Sequence, residues 1–125
     1  MTASTARTMA NVTDHFTLIR SKDAGPFMLT LDLFFRDDHS RRAFLAAGVF
    51  TAERIGALYG VAPGQVQIWD LADIGAMKIS FPRPVASGEF GDTDITGGQQ
   101  YALVVELIAG LSVTGSGETL TVGVP

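Results

Sequence analysis

The chain contains no cysteine, which removes disulfides, thiolate zinc sites, iron–sulfur clusters and cysteine nucleophiles together. Histidine is nearly as scarce. His15 and His39 stand far apart, in no metal-ligating spacing, and read as surface residues. No Gly-x-Ser-x-Gly elbow occurs, and no glycine loop ends in Gly-Lys-Ser/Thr, so neither a serine hydrolase turn nor a P-loop is present. Positive charge is in deficit: nine Lys and Arg against thirteen Asp and Glu leave a net charge of −4. A general nucleic-acid partner is therefore not expected, because neutralising phosphates needs a clustered cationic surplus. The scattered cations still leave room for an anionic small molecule held by a local pair. There is no uninterrupted apolar run of about 18 residues, so no membrane partner is expected. The first thirteen residues lack the apolar core of a signal peptide, and a cysteine-free chain fits a reducing compartment. The expected location is cytoplasmic, with no cofactor and no metal.

What is present suffices for one folded domain: 125 residues, 46% of them apolar. We read residues 1–13 as a flexible leader, 14–110 as the folded domain and 111–125 as a tail with an edge strand. Phe16 to Arg20 reads as a short strand, broken by a loop from Ser21 to Pro26. From Phe27 the alternation is clear: Phe27, Leu29, Leu31, Leu33 and Phe35 fall on one face. Asp37 or Asp38 is placed to cap a helix over Ser40–Ala47, ended by Gly48. Thr51 is placed to cap a second over Ala52–Tyr59, ended by Gly60. A hairpin follows, Gln65–Leu71 with Ala76–Phe81. The long Gly/Asp/Thr-rich stretch Ser87–Gln100 reads as a loop, a length uncommon in a compact domain unless it binds something. Tyr101–Ile108 reads as a central or covered strand, apolar on both faces except at Glu106, and Leu120–Val124 as an edge strand. Strands, helices and then strands predict an α+β fold: a mainly antiparallel sheet with two short helices on one face, in a ferredoxin-like arrangement.

Two segments carry candidate chemistry. Arg20, Ser21, Lys22, Asp23 and Gly25 combine cations, a hydroxyl and a glycine turn, which suits a carboxylate or phosphate. On pattern alone a plain charged loop between two antiparallel strands is the favoured reading, because charged turns are common. Lys22 beside Asp23 forms a proton-transfer pair if buried. In the second segment, Asp92 and Asp94 flank Thr93, with oxygens for a cation or for stabilising a tight turn. Gln99 and Gln100 follow two glycines and supply amide donors and acceptors for a ligand or a neighbouring subunit. Asp32 lies on the less apolar face of its strand and needs a partner such as Arg20 or Lys78 if covered. Trp69 reads as core or interface. Lys22 and Asp32 are the weak catalytic candidates. Nothing here is a self-sufficient active site.

Taken together, several blocks resemble a small bacterial family known as domain of unknown function 4387. They are Ile19-Arg20-Ser21-Lys22-Asp23-Ala24-Gly25-Pro26-Phe27 with Leu29-Thr30-Leu31-Asp32, then Tyr59-Gly60-Val61, then Lys78-Ile79-Ser80-Phe81-Pro82-Arg83-Pro84 with Ser87-Gly88, and Gly91-Asp92-Thr93-Asp94 with Gly98-Gln99-Gln100. More distantly, the chain is similar to the carboxy-terminal ferredoxin-fold domain of AtuA-type acyclic terpene utilisation proteins. The loop Ile19–Gly25 and the segment Asp70–Met77 carry that likeness. The resemblance implies a small subunit that joins a large AtuA-like protein in an oligomer. It implies hydratase or lyase work on branched organic acids or their CoA thioesters. One departure stands out: where the family follows Gln-Gln with His-Ala-Pro, this chain has Tyr101-Ala102-Leu103, so the histidine that the resemblance leads one to expect there is missing, and with it any acid–base role it would have. The competing expectation is a non-enzymatic homo-oligomeric scaffold or small-ligand-binding module.

Overall fold

A computed structural model describes residues 10–83, 100–115 and 119–124. Its organising strand is β2 (Met28–Phe35). A period of two sends alternate side chains to opposite faces, and Leu29, Leu31, Leu33 and Phe35 are all buried on one of them. Taking side chains of this size out of water stabilises by about 1.5–3 kcal/mol each, which favours a central place for β2. β1 (Phe16–Asp23) pairs with it on one flank and β4 (Ala76–Pro82) on the other, with β3 (Gln67–Leu71) beyond β4. The order β1-β2-β4-β3 is antiparallel at every pairing. The fold is α+β with an antiparallel main sheet, and its strand order is compatible with a ferredoxin-like arrangement.

Both predicted helices form, with the predicted caps. In α1 (Asp38–Ala46) the Asp37 carboxylate accepts the Ser40 N–H at 2.8 Å. In α2 (Ala52–Tyr59) the Thr51 hydroxyl accepts the Arg54 N–H at 3.2 Å, and Gly60 ends the helix at φ 73. That left-handed conformation is open to glycine without a Cβ penalty. The helices bring Phe44, Ile55 and Tyr59 onto the leucine face of the sheet. At one end of this core Phe16, Phe35, Phe44 and Phe50 pack ring against ring, with centroids as close as 4.8 Å for Phe16 and Phe35. At the other end Tyr59 lies on Phe81 at 4.6 Å.

Four expectations need correcting. Tyr101–Ala109 is a helix, α3, and not a strand. Its burial has helical spacing: Val104, Ile108 and then Leu111 are buried while Tyr101 and Leu103 are exposed. A short continuous apolar run fits a buried strand or a helix, and periodicity alone does not separate them. α3 thus adds a third helix to the two expected. Second, β1 runs on to Asp23, so residues 21–23, expected in a loop, are strand. Third, residues 10–15 are helical, although 10–13 were expected in a loose leader. The Asn11 amide donates to the carbonyls of Ile108, Ala109 and Leu111 at 3.1, 3.3 and 2.8 Å, satisfying acceptors that the end of α3 leaves over. Fourth, the strand expected at 120–124 does not edge the main sheet. β5 (Ser112–Thr114) and β6 (Thr121–Gly123) pair only with each other, and Val122 is buried with Leu111 in the core. No described helix is long and apolar enough to cross a membrane.

Candidate functional site

Because β1 extends through Asp23, its pleat divides the predicted charged cluster. Ser21 pairs with Leu31 and Asp23 with Leu29 across the ladder, so both lie on the covered side. Arg20 and Lys22 lie on the opposite, open side. The two halves do different things.

On the covered side, the buried Ser21 hydroxyl accepts the Tyr101 N–H at 2.9 Å, one of the N-terminal donors of α3 that the helix itself cannot satisfy. Asp23 accepts from Arg83 Nη1, and the Arg83 side chain is only 4% exposed. The Tyr59 hydroxyl donates to the Gln100 carbonyl at 2.7 Å. Burial pushes the Tyr59 phenol well above its ordinary value, against a smaller opposing effect of the Val104 backbone, so it stays a neutral donor. The segment Ser21–Asp23 therefore meets Arg83 and Tyr101, which lie on either side of residues 84–99. Asp92, Asp94 and Gln99 lie outside the described residues. Gln100 sits just ahead of α3 and contributes its carbonyl to Tyr59. Gly25 lies in the exposed β1–β2 turn, which the Ala24 N–H closes onto the Met28 carbonyl at 2.9 Å.

The Lys22–Asp23 proton-transfer pair does not form. Neighbours on a strand point to opposite faces, and the Asp23 carboxylate is taken by Arg83. The two weak catalytic candidates, Lys22 and Asp32, do share the open face. Asp32 accepts from Arg20 Nε at 3.0 Å and has Lys78 as its register partner on β4. The Arg20 guanidinium lies 5.5 Å from the Phe34 ring centroid, and Lys78 Nζ lies 5.6 Å from that of Trp69.

These contacts define a continuous surface. Leu18, Arg20, Lys22, Trp69, Leu71 and Lys78 are all exposed on this face of the sheet, while the described helices bury their side chains against the other. Trp69, read from the sequence as core or interface, is 42% exposed. Among the described residues of this face, the three cations Arg20, Lys22 and Lys78 stand against the carboxylate of Asp32. A chain of net charge −4 thus presents one locally positive, partly apolar face.

Sequence reasoning missed the structural roles of Arg83 and Tyr59. For Arg83 the available signal was a charged residue set between two prolines at a strand exit, Pro82-Arg83-Pro84. Among the described residues no three His, Asp or Glu side chains come together to hold a metal ion. The sequence matches the profile described as Domain of unknown function (DUF4387) over residues 12–108. No curated protein and no solved structure matches it.

Proposed function

The chain belongs to the DUF4387 family, and from that premise we propose that it is a small subunit of a hetero-oligomeric enzyme. Its open sheet face docks on a larger AtuA-like protein. The observation that carries this reading is the set of exposed side chains on the face turned away from the described helices, Trp69, Leu18 and Leu71 beside Arg20, Lys22 and Lys78, around the buried Ala76, Thr30 and Ser80. Exposed apolar side chains with an aromatic and an arginine among them, here on the two edge strands, are what protein interfaces favour. Hydration or lyase chemistry on branched organic acids or their CoA thioesters then belongs to the joint site. In that site Arg20 and Lys22 supply positive charge toward a carboxylate or phosphate.

The reading is tested by purifying the chain from native cells and by assaying the complex on hydroxy acids and acyl-CoA esters. A large partner in fixed stoichiometry is expected. Arg20→Ala and Lys22→Ala should each abolish activity of the complex with the isolated domain still folded, since an exposed pair such as Arg20–Asp32 contributes only about 0–1 kcal/mol. Full turnover in both variants would sink the proposal. A stable homodimer or homotetramer with no large partner would point instead to a scaffold.

A further inference from the structure

A groove of about 390 Å³ runs along the outer flank of β1, between Phe16–Ile19 and the first turn of α3 from Tyr101 to Val105. That volume is within the range of small-molecule sites, about 300–1,000 Å³. Its walls are mostly hydrocarbon, from Val12, Phe16, Leu18, Ile19 and Val105. Arg36 also lines it. Arg36 Nε and Nη2 donate to the Thr13 carbonyl at 3.2 and 3.0 Å, and Nη2 also donates to the Phe16 carbonyl at 3.3 Å. A guanidinium has five donors, and here Nη1 has no described acceptor, nor does Arg36 pair with any described carboxylate. A cation fixed by two backbone carbonyls thus borders an apolar trough with part of its fork free.

We propose that this groove binds an aliphatic carboxylate, with the hydrocarbon chain between β1 and α3 and the carboxylate on Arg36. Fixing Nε and Nη2 beforehand means that little freedom is lost when Nη1 takes the anion. The three strand steps from Phe16 to Ile19 span about 10 Å, which suits a medium-length chain such as octanoate. An added peptide strand fits the same flank poorly. The β1 ladder shifts register between Phe16 and Leu18, and the exposed Arg20 and Lys22 follow on the same edge; both features discourage strand addition. The groove shares Leu18 with the open face but none of Arg20, Lys22, Lys78 and Trp69, and it is tested on the chain alone, so this proposal stands or falls without the subunit reading.

The experiment is an amide and arginine side-chain NMR titration of the full chain with octanoate below its micellar concentration, with hexanoate and octan-1-ol in parallel. Saturable shifts are expected over residues 12–19 and 101–105 and at the Arg36 side chain. Octan-1-ol should bind about tenfold or more weakly, because it lacks the charge-assisted bond, and hexanoate several-fold more weakly for its lost methylenes. Arg36→Gln should weaken octanoate about tenfold. Because Arg36 also holds Thr13 and Phe16, Leu18→Asp provides a second variant: an exposed position where a carboxylate repels the ligand without touching Arg36. A tenfold or larger loss is expected there too. Shifts that never saturate, equal binding of octan-1-ol, or unchanged affinity in Leu18→Asp would each overturn the proposal. So would a short extended peptide that produces these shifts where octanoate does not.

Discussion

Ser21→Ala tests the joint between β1 and α3. The serine is 6% exposed, and its hydroxyl accepts the Tyr101 N–H at 2.9 Å. Removing it strips a buried helix-terminal donor of its acceptor, which costs about 1–2 kcal/mol. Unfolding entropy of roughly 2.1 cal/mol/K per residue gives about 0.26 kcal/mol/K for a chain of 125 residues. The melting temperature should therefore fall by about 4–8 °C. Calorimetry reads the global loss, and hydrogen exchange reads the local one: exchange of the Tyr101 amide should accelerate about 5–30-fold. Lys22→Ala, one residue along and exposed on the other face, should change stability by no more than about 0.5 kcal/mol. An unchanged melting temperature in Ser21→Ala, with the Tyr101 amide still protected, would refute the assignment of Ser21 to holding α3. It would return the serine to the list of ligand contacts.

Two further substitutions probe the same end of the domain. Gly56→Ala in α2 should destabilise, although alanine is the better helix former by about 1 kcal/mol. The new Cβ would lie 2.6 Å from the Val61 carbonyl oxygen, and such overpacking costs about 1–3 kcal/mol; a higher urea midpoint in the variant would contradict this. Tyr59→Phe removes the bond to the Gln100 carbonyl and should cost about 1 kcal/mol near neutral pH. The parent's phenol is raised above 10.0 by burial. Its contribution is therefore complete below the unfolded value and is lost as pH rises beyond it, because the unfolded chain then releases a proton that the folded one keeps. Urea titrations at about pH 8 and about pH 11 should show the parent losing more stability than the phenylalanine variant. Equal losses would mean that the Tyr59 hydroxyl is not buried as described.

Local signals in the sequence carried a large part of this fold. The alternation in Met28–Phe35, the caps at Asp37 and Thr51 and the left-handed glycine at Gly60 each depend on a few neighbouring residues. Each can be read without knowing the rest of the chain. Asp32's need for a partner was also legible, since a carboxylate amid a strand's apolar neighbours must find a cation. The residues 101–109 were not legible in this way. An unbroken apolar run satisfies both periods, and only the packing of Val104 and Ile108 under the sheet selects helix. The candidate site divides along the same line. The sequence brought Arg20, Ser21, Lys22 and Asp23 to notice as one cluster, but the pleat of β1, visible only once its pairing with β2 is known, turns two to the core and two to the open face. The Asp23–Arg83 pair spans 60 residues and the Asn11 cap on α3 spans 97 to 100. No local pattern encodes such contacts, because they depend on where separate elements meet after the core has closed.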